Sequence, residues 1–106
     1  MDDRERIQAA IDYAGLAQRH IRRRLESLSA ETAASTLPES LTMALVYLGK
    51  SDAMFITGEH WRYAVMALQR AIECIGKLDK YAELVRALEH ADICIKRMVA
   101  DLESER

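Results

Sequence analysis

Proline occurs once in this chain, at Pro38, and glycine only four times. A β-rich fold needs turn residues at every hairpin, so this scarcity argues against one. Two cysteines, Cys74 and Cys94, are too few for a disulfide framework. The longest uncharged run is Ser40 to Gly49, far short of the roughly 18 apolar residues of a membrane span. The start, Met1-Asp2-Asp3-Arg4-Glu5-Arg6, lacks the apolar stretch of a secretory signal. These absences together predict a cytoplasmic protein that does not enter a membrane. Neither charge dominates: 15 Lys and Arg stand against 17 Asp and Glu, for a net charge of −2. Non-specific nucleic-acid binding normally goes with a basic excess and is not expected. Also missing are a Gly-rich phosphate loop, GxSxG, HExxH and CxxC, so the expectation is no enzyme and no cofactor.

What is present is hydrophobic patterning. Half of the 106 residues are hydrophobic and 30% are charged, enough for one core-bearing domain over 1–106. Four stretches carry helical periodicity and none carries sustained alternation. The first opens on Asp2 or Asp3 as a cap. Its seam is Ile7, Ile11, Ala14, Ile21, Leu25 and Leu28, with Gln18 in the gap. That predicts a helix over about 3–28, roughly 39 Å long, in which Gly15 costs up to about 1 kcal/mol. Ser29 to Leu37 reads as the longest loop. Thr36-Leu37-Pro38-Glu39 then has the pattern of a capping box.

The second helix, about 37–56, carries Leu37, Leu41, Leu45, Leu48 and Phe55, with Asp52 interrupting the stripe. Thr57-Gly58 marks the next break, with Gly58 suited to a left-handed position. The third helix, about 59–75, has a wide apolar arc (Trp61, Ala64, Val65, Leu68, Ala71, Ile72, Ile75) and should pack on two neighbours. Gly76 and Leu78-Asp79 form a turn, with Asp79 as the cap. The fourth helix, about 80–103, follows Tyr81, Leu84, Leu88, Ala91, Ile95, Met98 and Leu102. The prediction is an all-α fold: a four-helix bundle, up-down and antiparallel. The alternative merges helices two and three into one long helix, leaving three that close a core by dimerisation.

The third and fourth helices also echo each other at an offset of 20. Val65, Ala67, Leu68, Ala71, Cys74 and Ile75 match Val85, Ala87, Leu88, Ala91, Cys94 and Ile95. This reads as two neighbouring helices reusing the same packing residues.

Three local resemblances fall on the third helix. Gly58 with Ala64, Leu68 and Ala71 resembles the second helix of a tetratricopeptide repeat, although no complete repeat can be laid out. Ala64, Gln69, Ala71, Glu73 and Lys77 resemble a helix of HEPN domains. The ribonucleases among these use Arg-x4-His, whereas three residues separate Arg86 from His90 here. Met66-Ala67-Leu68-Gln69-Arg70-Ala71-Ile72 is similar to a helix of phage cyclic-dinucleotide sponge proteins, over those residues alone. The chain is assigned to none of the three.

One candidate site stands out. Arg19, His20, Arg22, Arg23 and Arg24 surround the seam residue Ile21. Arg19 and Arg23 lie one turn apart, suited to gripping a phosphate or carboxylate. The competing reading is a solvated helix end, favoured by the helix dipole and by an Arg22–Glu26 pair. A secondary surface is His60, Arg62 and Tyr63. Off-seam Met43, Met54 and Met66 would add adaptable contacts if exposed.

His90 and Cys94 share a helix face and are half of a metal site, and His60 is placed at the height of Cys94. Both histidines are expected to point outward, and no second ligand pair supports them, so no metal is expected. Cys74 and Cys94 come out roughly 18 Å apart in height at about 1.5 Å per residue, too far for a disulfide.

These features suggest a small non-enzymatic helical protein, a regulator, adaptor or inhibitor whose partner is another protein. The alternative is an oligomeric binder of a small anionic ligand such as a nucleotide, using the helix-one arginines. Unequal helix lengths predict that Ile7, Leu25, Met98 and Leu102 are left partly bare in a monomer and covered in a homodimer.

Overall fold

The computed structural model describes residues 3–27, 39–51 and 53–106. Asp2, Leu28, the Ser29–Leu37 loop, the Thr36–Pro38 cap and Asp52 lie outside the described residues. Those described are almost all helical, with no strand among them. In chain order they form α1 (Asp3–Ser27), α2 (Glu39–Ser51), the single turn α3 (Met54–Thr57), α4 (Glu59–Cys74), a 3-10 turn (Leu78–Lys80) and α5 (Tyr81–Ser104). No helix among them is long and apolar enough to cross a membrane.

Each long helix touches two others. α4 packs most extensively on α5, and α1 on α2; α1 also meets α5, and α2 meets α4. Side-chain bonds set the directions. Arg106 Nη1 donates to Gln8 Oε1 at 2.7 Å, while Arg22 Nε donates to Asp92 Oδ1 at 3.1 Å. One position rises as the other falls, so α1 and α5 are antiparallel. His60–Asp101 at 2.8 Å and the Arg70–Glu83 bond show the same for α4 and α5. The molecule measures 46 × 20 × 18 Å. Its cross-section is two helix diameters each way, at about 10 Å per helix.

Helices two and three do not merge. Trp61 Nε1 donates to the Leu48 carbonyl at 2.8 Å. On one continuous helix these residues would be about 20 Å apart at ~1.5 Å rise. The chain therefore reverses, and Gly58, at φ 49°, is the residue that permits it. Thr57 Oγ1 closes the preceding turn on the Ala53 carbonyl at 2.9 Å. The second reversal uses Gly76 at φ 80°. Asp79 does not cap α5: it lies within the 3-10 turn, and the capping position is Lys80, which makes no side-chain cap bond.

The core corrects the reading of α1. Its buried residues are Ile7, Ala10, Ala14, Ala17 and Ile21; Ile11 and Leu25 are only partly buried, at the edge of the core. α1 lies between α2 and α5, so its small alanines occupy the centre of the buried arc. Phe55 is also corrected, from core to 41% exposed, with the Arg6 guanidinium 3.9 Å from its ring centroid. α2 ends at Ser51, and the α2 stripe does not carry through the turn at Ala53.

The expected bare ends are largely closed. Met98 and Leu102 are fully buried and Ile7 is 6% exposed, all within one chain; Leu25 remains partly exposed. The reason is α3. This single turn packs on both α4 and α5 and extends the cover that α4 alone is too short to give. The case for pairing at Ile7, Met98 and Leu102 therefore falls away.

Candidate binding face on helix α1

Arginine is a good helix former, and the run Arg22–Arg24 continues α1 to its last turn. Ile21 is fully buried at its centre, so the flanking side chains leave the core in different directions. The structure divides the five basic residues accordingly.

Arg22 turns toward α5. Its Nε and Gln18 Nε2 donate to the same Asp92 oxygen at 3.1 and 3.0 Å. Lys96 Nζ lies 3.9 Å from the other oxygen. The anticipated Arg22–Glu26 pair does not form, because Asp92 takes that guanidinium. His20 turns the other way and stacks on Tyr47 of α2 at 5.7 Å between ring centroids. Tyr47 in turn stacks on Tyr13 at 6.3 Å, and Lys50 Nζ lies 5.8 Å from the Tyr13 centroid. The ring faces in this ladder are largely occupied by one another. Arg24 is half-buried in the last turn.

Arg19 and Arg23 stay on the outer surface. Both are exposed, and neither meets a carboxylate among the described residues. Together with Gly15, Gln18, Arg22 and Glu26 they line an open depression of about 370 Å³. Arg23 also borders a second hollow, of about 290 Å³, with His20, Arg24 and Ser27. The cluster is thus two hollows that share Arg23, rather than a single patch.

The secondary candidates are less unified. His60 is half-buried against Asp101, with Nδ1 donating to Oδ2 at 2.8 Å. It lies at the surface beside Asp101, which is two turns beyond Cys94. Arg62 covers the Tyr63 ring at 5.5 Å, and Tyr63 and Met66 are exposed. Met43 is exposed as well. His90 Nε2 lies 3.6 Å from Cys94 Sγ, and burial pushes the Cys94 thiol up from its ordinary pKa, opposed by the nearby Arg97 charge. Among the described residues no three His, Cys, Asp or Glu side chains converge as metal ligands. Both cysteines are free and buried.

One cluster escaped the sequence reading. Glu83 of α5 bonds the Arg70 guanidinium of α4 and accepts from Lys80 Nζ at 3.3 Å; Arg70 also donates to Glu73 at 3.2 Å. The Lys80–Glu83 and Arg70–Glu73 spacings are visible in sequence, but the link between helices is not. Hydrogen bonds from Arg70 and then Lys80 hold the Glu83 carboxyl below its ordinary pKa. A carboxylate depressed by folding stabilises above its unfolded pKa, and that contribution is lost as pH falls through the lowered value. In Arg70→Gln, NMR titration should show the Glu83 pKa moving up toward the ordinary carboxylate range. An unchanged value would mean that the interhelical bond does not set it.

No family model matches the chain, no curated protein is significantly similar to it, and no solved structure matches it.

Proposed function

We propose that this chain is a non-enzymatic binding protein, built as an up-down four-helix bundle, that acts as a regulator, adaptor or inhibitor. It engages an acidic surface of another protein through Arg19 and Arg23, beside the Asp92-bound Arg22. The bundle reading is supported by the cycle of antiparallel neighbours and the two-by-two cross-section.

The observation that carries the function is the placing of two exposed arginines one turn apart on the outer face of α1. Arg70, Lys80 and Arg22 each hold a carboxylate. Arg19 and Arg23, one turn apart and adjoining Arg22, hold none among the described residues. Exposed guanidinium groups in this arrangement suit carboxylate recognition, which adds specificity and speeds encounter more than it adds bulk affinity.

The test is affinity capture by the immobilised protein beside an R19E/R23E variant. The variant should melt like the parent, since exposed charge changes usually stay within about 0.5 kcal/mol each. It should bind an identified acidic partner at least tenfold more weakly, a loss of about 1.4 kcal/mol, and the difference should shrink at high salt. Equal binding by both proteins would place the interface elsewhere.

A second reading, a small anionic ligand such as a nucleotide, is favoured by the hollow lined by His20, Arg23, Arg24 and Ser27. It predicts a melting shift with nucleotide that His20→Ala and Arg23→Glu abolish.

A further inference from the structure

Tyr13 and His20 stand two turns apart on the α2 side of α1, a rise of ~10.5 Å along its axis. Tyr47 of α2 stacks on both, 6.3 Å from the Tyr13 centroid and 5.7 Å from that of His20. The two separations together just exceed the two-turn rise, so Tyr47 lies between its neighbours with both faces covered. At one end of this stack the Lys50 ammonium lies 5.8 Å from the Tyr13 centroid. At the other end one face of His20 is left.

Another two turns bring α1 to Ser27. The hollow of about 290 Å³ lined by His20, Arg23, Arg24 and Ser27 occupies that interval. Its other three lining residues all lie beyond His20, so it opens on the face of His20 that Tyr47 does not cover. The same two-turn slot therefore occurs twice along α1, and in the first of them it holds an aromatic ring. For the second, α2 supplies no ring, because the positions one and two turns before Tyr47 are Met43 and Ser40. The charge of the second slot has one sign. Arg23 and Arg24 border it, and no carboxylate is among its lining residues. Arg22, whose guanidinium is held by Asp92, is not part of it.

We infer that this slot takes a mononucleotide, its base stacked on His20 as Tyr47 is stacked on the other face, and its phosphate on the Arg23 guanidinium. This rests on the anionic-ligand reading above and says how the ligand is held. A ring is selected because the same spacing along α1 already accommodates one, and every nucleobase has a π-face suited to stacking on histidine. A phosphate is selected because a guanidinium pairs with it bidentately. The last carbonyls of α1 disfavour an anion, which places the phosphate on the outward Arg23 side rather than at the helix end. Neither half suffices alone: a free base offers nothing to Arg23, and a free phosphate nothing to the His20 face.

The test is binding of AMP, adenosine and inorganic phosphate to the intact protein, by calorimetry and NMR, beside H20A, H20F and R23Q. AMP should bind at least tenfold more tightly than either adenosine or phosphate, and its adenine protons should shift upfield in the ring current of His20. H20A should weaken AMP at least tenfold and leave phosphate binding unchanged. H20F, which keeps a ring at the end of the stack, should restore AMP. R23Q should weaken AMP and phosphate alike. If AMP and phosphate bind equally and R23Q weakens both, the stacking slot is wrong and the anionic reading stands. If H20A weakens phosphate as much as AMP, the histidine acts by charge rather than as a platform, and the slot is again wrong. Adenosine binding as tightly as AMP, or AMP binding that R23Q leaves unchanged, would remove the phosphate from Arg23 and overturn the inference. If neither AMP nor phosphate binds at millimolar concentration, the slot and the anionic reading both fall.

Discussion

Leu102→Ala should destabilise the protein by about 2–5 kcal/mol, the range for emptying a buried leucine site. Leu102 is two residues from the end of the last helix described, where a frayed terminus would make such a change almost silent. It is instead fully buried, as are Met98 one turn before it and Ile95 before that. The cover comes from two sides. α3 packs on α5, and the start of α1 is tied to the same end by the Arg106–Gln8 bond. For a domain of this size each kcal/mol moves the melting temperature by about 4–8 °C, so a drop of at least about 8 °C is expected by calorimetry. A change below about 2 °C would mean that this end is open in solution, and the argument for a second copy covering it would return.

Ala14→Leu should also be strongly destabilising, by about 1–3 kcal/mol, the usual cost of forcing extra carbons into a filled core. Ala14 is fully buried, with Ala10 and Ala17 beside it at 1% and 0% exposure. These alanines set how closely α1 approaches α2 and α5, and a leucine there must push a helix outward. The neighbouring position gives the internal control. Gly15→Ala adds one carbon into open space and should stabilise by up to about 1 kcal/mol. Opposite signs at adjacent residues, read by urea denaturation, would show that the face of α1 is assigned correctly. Stabilisation by both would mean that the buried arc is rotated from where it is described.

The same pair shows how much could be read in advance. In α5 the sequence pattern and the buried set agree at Leu84, Leu88, Ala91, Ile95, Met98 and Leu102, because large apolar residues mark the centre of the arc. In α1 the centre is marked by alanines. Alanine is nearly neutral in any apolar pattern, so the larger Ile11 and Leu25 drew the seam toward its edge. Phe55 was misplaced for a different reason: periodicity carries no information across a break in the helix.

The binding face divides in the same way. The arginine run is plain in the sequence, but which arginines are occupied depends on Asp92, seventy residues beyond Arg22. Gly15 was legible only as a cost to the helix.

The tie between α1 and α5 bears on how the molecule assembles. The bond joining α4 to α5 spans thirteen residues of chain, from Arg70 to Glu83, whereas Arg106 and Gln8 are ninety-eight apart. Loop-closure entropy grows only slowly with length, by about 0.6 kcal/mol per doubling, so the long closure costs little in equilibrium stability. In time the two differ more, because distant pairings must be found before they reward the search. The α4–α5 pair and the α1–α2 pair each gather from their own stretch of chain, and the tie between α1 and α5 is the pairing that needs both ends of the sequence to meet.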